Sequence, residues 1–166
     1  DLTSYVLKDF SEEFYFGKTY GIYGKNGSGK STLSNILASL YKPDQGHIYL
    51  GNNDIFNNIS SYRKDVIQIT SRPFIMAGTV KENLFLEADS FDDEYIYDIL
   101  KNIGLEEVIN SFPLGLDTVI AEGGINLSSG QKQKINLARA LLRKPKILIL
   151  DEAMSNLDQS SKRKIL

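Results

Sequence analysis

This sequence has no cysteine and no tryptophan, a single histidine, and only four prolines in 166 residues. Without cysteine there is neither a disulfide framework nor a thiolate metal site, which fits a reducing compartment. A net charge of −2 argues against a nucleic-acid binder that relies on bulk positive charge. What remains is an ordinary globular balance, 42% hydrophobic and 24% charged, in a chain long enough to form one domain with a core.

Long hydrophobic runs are also missing. No apolar stretch approaches the roughly 18–20 residues that a membrane helix needs, and the densest one, residues 147–150, is the size of a strand. The first residues lack the charged-then-apolar order of a signal peptide. The last seven residues, "SSKRKIL", look like a helix cut short, so we expect a fragment of a longer polypeptide.

Strand and helix patterns are mixed along the chain. Residues 19–23 predict a short strand that runs into a glycine-rich loop, and a helix with one apolar face follows until Pro43. Residues 46–53 predict a strand and a turn, and Val66–Thr70 predicts another strand. The apolar residues of the first helix are Leu33, Ile36, Leu37 and Leu40.

From Pro73 to about Leu142 the pattern is helical. One helix is predicted over residues 92–103, capped by Gly104, and a second opens at Ser128 with the S-x-x-Q capping box. The run "KILILDE" then predicts a strand buried on both faces, as in parallel sheets. We therefore expect an α/β fold with a mostly parallel sheet and a helical insert.

Residues 24–31, "GKNGSGKS", match the phosphate-loop pattern G-x-x-x-x-G-K-[ST]. Glycines let the backbone curl until its amides point at phosphates, and the next helix adds its positive N-terminal end. Lys30 would reach the β- and γ-phosphates, and Ser31 would place a hydroxyl on Mg²⁺. A chance glycine-rich turn is the alternative, but the strand before it and the amphipathic helix after it favour the phosphate loop. The predicted nucleotide-binding residues are Gly24, Lys25, Asn26, Gly27, Ser28, Gly29, Lys30, Ser31 and Thr32.

Asp151 and Glu152 end the late apolar strand, where α/β sheets bind ligands. Asp151 is predicted to hold Mg²⁺ and Glu152 to accept a proton from an attacking water, with Lys30 as the other catalytic residue. The alternative is a solvated acidic strand end. The phosphate loop upstream favours the functional interpretation.

Four further segments, together with these two motifs, resemble the nucleotide-binding domain of ATP-binding cassette (ABC) transporters, especially exporters. "GTVKENL" (78–84) and "PLGLDTVIAEGG" (113–124) resemble exporter segments. "LSSGQ" resembles the family signature LSGGQ, and "SNLD" resembles the D-loop. The signature residues are Leu127, Ser128, Ser129, Gly130 and Gln131, and the D-loop residues are Ser155, Asn156, Leu157 and Asp158.

The resemblance implies a P-loop NTPase core, with an antiparallel β subdomain, over residues 1–70 and 141–166. A helical subdomain carrying the signature would occupy residues 71–140. The cofactors would be ATP and Mg²⁺. Two such domains, in a homodimer, would close head to tail on ATP, which would lie between one phosphate loop and the partner's signature. Hydrolysis would reopen the dimer and drive transmembrane helices that export a substrate, so this soluble segment would work at the cytoplasmic face of the membrane without nucleic acid.

Three positions depart from the family pattern. Ser129 replaces the usual first glycine of the signature, where its side chain would either narrow the approach of a phosphate or add a hydroxyl donor. Ser71 stands where the family has the Q-loop glutamine, so either Gln68 takes that role or the role is weakened. The family's switch histidine would lie beyond Leu166, and His47 is interpreted as a surface or strand residue.

Two expectations follow from these departures. The isolated fragment should hydrolyse ATP weakly or not at all, and a nucleotide-binding regulatory module with little turnover stands as the alternative to an ATPase engine. Tyr5 is the one candidate for the aromatic residue that stacks on adenine, although it is equally a strand residue.

Overall fold

A computed structural model describes residues 5–86, 93–155, 157 and 159–165. Its helices and strands alternate in the order expected for an α/β domain. The strands are β1 (Tyr49–Leu50), β2 (Asn53–Asp54), β3 (Val66–Thr70), β4 (Gly78–Thr79), β5 (Val119–Ile120) and β6 (Ile147–Asp151). The helices are α1 (Lys30–Leu37), α2 (Ile59–Asp65), α3 (Val80–Leu84), α4 (Asp93–Asn102), α5 (Leu105–Asn110), α6 (Ser129–Leu142) and α7 (Gln159–Ile165).

The central strands β3 and β6 run parallel. Val66 pairs with Ile147 and Thr70 with Asp151, so both strands end at the same edge. This register brings the carboxyl end of β3 beside Asp151, the last residue of β6, at the edge where α/β sheets bind ligands. The fold class is confirmed, and β3 has the predicted bounds.

The helical part packs on this pair through one main core. Helix α6 supplies fully buried side chains such as Ile135 and Leu142, and α3 supplies Leu84. The capping box predicted for α6 is present: Ser128 Oγ accepts a hydrogen bond from the Gln131 N–H at 3.2 Å, and Gln131 Oε1 accepts from the Ser128 N–H at 2.8 Å. A second, smaller core surrounds Ile55, Tyr62 and Val66.

Four local predictions need correction. Residues 19–23 form no strand, and all of them are exposed, because no described strand pairs with them. Helix α1 ends at Leu37 rather than at Pro43, since Ser39 takes a left-handed φ of 59° and leaves Leu40 59% exposed. Strand β6 is half-buried along its length, because only β3 pairs with it among the described residues. The predicted helical stretch also contains an antiparallel pair, β4 with β5.

Among the described residues, no helix is long and apolar enough to cross a membrane. The Gly51-Asn52 turn predicted from the sequence joins β1 to β2. The helix predicted over residues 92–103 is present as α4, and Gly104 follows it with a left-handed φ of 67°.

Candidate functional site

The phosphate loop is a compact turn that leads directly into α1. The Ser28 N–H donates to the Lys25 carbonyl at 3.1 Å, and the Leu33 N–H donates to the Gly29 carbonyl at 2.8 Å. Gly27 and Gly29 have left-handed φ angles of 78° and 90°. These angles favour glycine, so the backbone here has the curl that a phosphate-binding turn needs.

Gly29 also lies under the N-terminal segment. A Cβ on this residue would stand 3.0 Å from Leu7 Cδ2 and 3.2 Å from the Val6 carbonyl oxygen. Glycine therefore lets residues 6 and 7 lie close against the loop. This contact places Val6 at the rim of the site.

A cleft of about 320 Å³ opens over the loop and the start of α1. Inside it, the Lys30 ammonium donates to the carbonyls of Gly24 at 2.9 Å and Lys25 at 3.0 Å. These bonds hold the lysine folded over the loop. The residues that line the cleft are Val6, Asn26, Gly27, Gly29, Lys30, Ser31, Thr32 and Glu152.

The two predicted carboxylates take different positions at the end of β6. Asp151 is half-buried, and its Oδ1 accepts a hydrogen bond from Ser31 Oγ at 3.4 Å. Glu152 is exposed, lines the cleft and has a left-handed φ of 54°. Such a conformation is uncommon for a residue with a side chain and is typical of functional sites. The structure thus unites Lys30, Ser31, Asp151 and Glu152, which the sequence places far apart.

The donor set next to the loop fits a magnesium ion. A serine hydroxyl and a carboxylate oxygen, both hard oxygen donors, face each other between Ser31 and Asp151. Mg²⁺ in nucleotide sites takes one or two protein oxygens and completes its shell with water and phosphate. Ser31 and Asp151 are the residues that would hold it.

Sequence reasoning missed the polar residue that lies next to Asp151. Ser34, 5% exposed, donates from Oγ to Asp151 Oδ2 at 3.1 Å. It lies three residues after Ser31 and therefore on the same side of α1. A polar residue three positions after Ser31 was the sequence signal that could have identified Ser34.

The two candidates for the Q-loop role differ in position. Ser71 is exposed just beyond the end of β3. Gln68 lies within β3 and donates from Nε2 to Ser34 Oγ and to Asn35 Oδ1, both at 3.0 Å. Gln68 is thus linked to Asp151 through Ser34, whereas Ser71 does not line the cleft.

The signature residues lie outside this cleft. Leu127 is buried, Ser128 and Ser129 are exposed, and Gly130 and Gln131 are half-buried at the start of α6. Ser129 is the first helical residue and has no positive φ. The serine that replaces the usual glycine therefore causes no backbone strain.

Two further predictions concern the D-loop and the adenine-stacking residue. Of the D-loop, Ser155 is exposed and Leu157 is 5% exposed, while Asn156 and Asp158 lie outside the described residues. Tyr5 is 58% exposed and does not line the cleft.

His47 is an exposed residue, as interpreted from the sequence. It hydrogen-bonds Asp54 at 2.8 Å, and this bond is the main reason why the pKa of the Asp54 carboxyl is lowered. The contact ties the loop before β1 to the end of β2.

Comparison with known proteins gives a consistent result. A family model described as "ABC transporter" matches residues 7–155. An export ATP-binding/permease protein of Rickettsia typhi is 42% identical over 162 residues, which cover 97% of this chain and 28% of that protein. The mitochondrial potassium channel ATP-binding subunit of Mus musculus is 40% identical over 160 residues, 95% of this chain and 22% of that protein.

A solved structure shares the fold as well. A bacterial Atm1-family ABC exporter with ATP bound superposes with a TM-score of 0.76 and 30% identity, covering 85% of this chain and 25% of that one. The present chain spans less than a third of the length of these relatives.

Proposed function

This chain belongs to the ABC transporter family, and on that premise we propose that it is the domain of an exporter that binds and hydrolyses ATP. The observation that carries the proposal is the cleft over the phosphate loop, where Lys30 and Ser31 face Glu152. In this arrangement a phosphate-binding turn and the Glu152 side chain share one space, and Asp151 adjoins it through its contact with Ser31. These are the parts that phosphoryl transfer to water requires.

Binding uses the loop and the start of α1. Backbone amides of residues 24–32 and the positive end of α1 surround the β- and γ-phosphates. Lys30 exchanges its bonds to the Gly24 and Lys25 carbonyls for phosphate oxygens. Ser31 and Asp151 would hold Mg²⁺, which would neutralise phosphate charge.

Hydrolysis uses Glu152 as the general base. This residue lines the same cleft as Lys30 and Ser31 and is exposed to water. There it accepts a proton from the water that attacks the γ-phosphate. Asp151 remains with Ser31 and takes no part in proton transfer.

The site is one half of a larger one. Ser128, Ser129 and Gly130 start α6 outside the cleft, on a helix N-terminus with an anion-binding character. We propose that they contact the γ-phosphate of a second copy, so that ATP closes a head-to-tail homodimer. Closure and reopening then move a transmembrane partner that exports the substrate, which puts this domain at the cytoplasmic face of the membrane. The 71–140 segment is the helical subdomain that carries the signature.

Substitution of Lys30 tests this function directly. Lys30→Ala should abolish sustained ATP turnover by the full-length protein in a steady-state phosphate-release assay, because Lys30 is the loop lysine whose ammonium lies in the cleft. Lys64→Ala changes an equally charged, exposed residue on α2 and should leave turnover unchanged. Turnover that survives Lys30→Ala would contradict the proposal.

The isolated 166-residue chain is a separate case. It should release phosphate weakly or not at all, since the family's switch histidine is not among its residues. Brisk turnover by this purified chain would contradict that expectation.

No observation on the described residues favours the alternative of a purely regulatory nucleotide-binding module.

A further inference from the structure

A line of polar side chains connects the middle of β3 to the end of β6 beneath α1. Gln68 Nε2 donates to Ser34 Oγ at 3.0 Å, and Ser34 Oγ lies 3.1 Å from Asp151 Oδ2. The same Gln68 nitrogen donates to Asn35 Oδ1 at 3.0 Å. Ser34 is 5% exposed and Gln68 is half-buried, so water competes little for these bonds.

The Ser34 hydroxyl has one hydrogen and two acceptors within reach. One is Asp151 Oδ2, and the other is the Ser31 carbonyl, also at 3.1 Å. A serine inside a helix readily donates to a carbonyl of the preceding turn. Donation from Gln68 occupies one lone pair of Ser34 Oγ and polarises the hydroxyl, which strengthens its charge-assisted bond to the carboxylate.

The two oxygens of Asp151 therefore have separate partners. Ser34 holds Oδ2, while Oδ1 faces Ser31 Oγ at 3.4 Å. Fixing Oδ2 limits rotation of the carboxylate and keeps Oδ1 turned toward the loop serine. Groups that orient a ligand in this way raise metal affinity, and their loss typically weakens it about 10–100-fold.

We propose that Gln68 and Ser34 are positioning residues that orient the Asp151 carboxylate for the magnesium ion. The inference rests on the proposed ATP site. It assigns the orientation of Asp151 to Gln68 of β3 and not to Ser71, whose short side chain is exposed beyond the end of that strand. Packing alone does not call for these polar groups, because apolar side chains would fill the same space without the cost of burying a hydroxyl and an amide.

The inference is tested by titrating Mg²⁺ into the full-length protein with trinitrophenyl-ATP as the fluorescent probe. Ser34→Ala and Gln68→Leu should each raise the Mg²⁺ concentration at half-maximal binding by about tenfold. Affinity for the probe in EDTA should stay unchanged, because the loop amides and Lys30 do not depend on this pair. Ser34→Thr, which keeps the hydroxyl, should restore the midpoint.

Ser39→Ala is the matched control. Ser39 is a similarly buried serine, 2% exposed, whose Oγ accepts a hydrogen bond from Arg63 Nε at 3.1 Å, away from Asp151. Its substitution should leave the Mg²⁺ midpoint unchanged even if the protein becomes less stable.

The outcomes separate the inference from the function on which it rests. A Mg²⁺ midpoint that Ser34→Ala and Gln68→Leu leave unchanged overturns the inference while ATP binding stands. An equal loss of affinity with and without Mg²⁺ also overturns it, since that would show a structural effect on the loop. Failure of the unsubstituted protein to bind the probe under any condition overturns the proposed function itself.

Discussion

Glu152 carries the most demanding prediction for a single residue. Glu152 directly follows β6 with a left-handed φ of 54°, and it lines the cleft over the phosphate loop. Glu152→Gln keeps the shape but removes the proton acceptor, so ATP turnover by the full-length protein should fall by about 10²–10⁴-fold.

Binding of ATP should survive the same change, because glutamine removes a negative charge near the phosphates and no contact to them. Equilibrium binding and turnover are measured on the same preparation. Glu122→Gln, at an exposed carboxylate in a short 3-10 helix, is the control. A Glu152→Gln variant that hydrolyses ATP at the unmodified rate would show that the assignment is wrong.

The two loop glycines provide a matched pair of substitutions. Alanine at Gly27 meets no atom within 4 Å, so it introduces only the strain of φ 78°, about 1–2 kcal/mol. Alanine at Gly29 has a φ of 90° and also approaches Leu7 Cδ2 at 3.0 Å. Chemical denaturation should therefore show a larger loss of unfolding free energy for Gly29→Ala than for Gly27→Ala.

Gly29→Ala should also weaken ATP binding more, since it displaces the segment that places Val6 at the cleft. Equal losses of stability in the two variants would show that residues 6 and 7 do not press on the loop.

At the scale of elements, helices α3 and α6 both begin with a capping box. Thr79 and Glu82 form a capping box at the start of α3, as Ser128 and Gln131 do at α6. Thr79→Ala and Ser128→Ala should each lower the free energy of unfolding by about 1 kcal/mol, because each leaves an N-terminal amide without its side-chain acceptor.

Of these two substitutions, only Ser128→Ala should change activity as well as stability. Ser128 belongs to the signature, so Ser128→Ala should also reduce turnover of the full-length protein, whereas Thr79→Ala should not. Urea denaturation and phosphate release separate the two effects. Equal turnover in both variants would argue that the α6 cap is only structural.

Local chemistry explains which elements the sequence predicts well. The S-x-x-Q pattern specifies a cap that closes within four residues, and the Val66–Thr70 run predicts a strand for which β6 supplies the partner. Residues 19–23 also have a strand-like local sequence, but no described strand lies beside them. A strand needs a partner for its backbone hydrogen-bonding groups. The end of α1 was missed because Ser39 leaves the helix four residues before Pro43.

At the scale of the whole molecule, Arg139 joins α6 to α3 and to the segment that follows β3. Its guanidinium donates to the Asn83 carbonyl at 2.6 Å, to Asn83 Oδ1 at 3.0 Å and to the Phe74 carbonyl at 2.8 Å. Burial lowers the pKa of Arg139, but an arginine stays charged at neutral pH. The signature helix is thus tied to α3 and to the chain just beyond β3.

Arg139→Met should lower the free energy of unfolding by about 2 kcal/mol, because it removes the guanidinium donor to the carbonyl of the fully buried Asn83, while Asn83 Oδ1 retains its bond from the Met76 N–H. Arg72→Met, at an exposed arginine, should change it little. Urea denaturation measures both. A loss of the same size in the control would mean that lost charge, and not the buried bonds, is responsible.

The sequence by itself determined the phosphate loop, the α6 cap, the strand β3 and the carboxylates at the end of β6. Each of these depends on residues close together in the chain, so spacing alone specifies it. Only the tertiary structure decided that Glu152 shares a cleft with Lys30, that Ser34 and Gln68 reach Asp151, and that residues 19–23 stay outside the sheet. These results depend on the parallel register of β3 with β6 and on α1 packing above it, and such contacts between distant residues leave no local pattern to read.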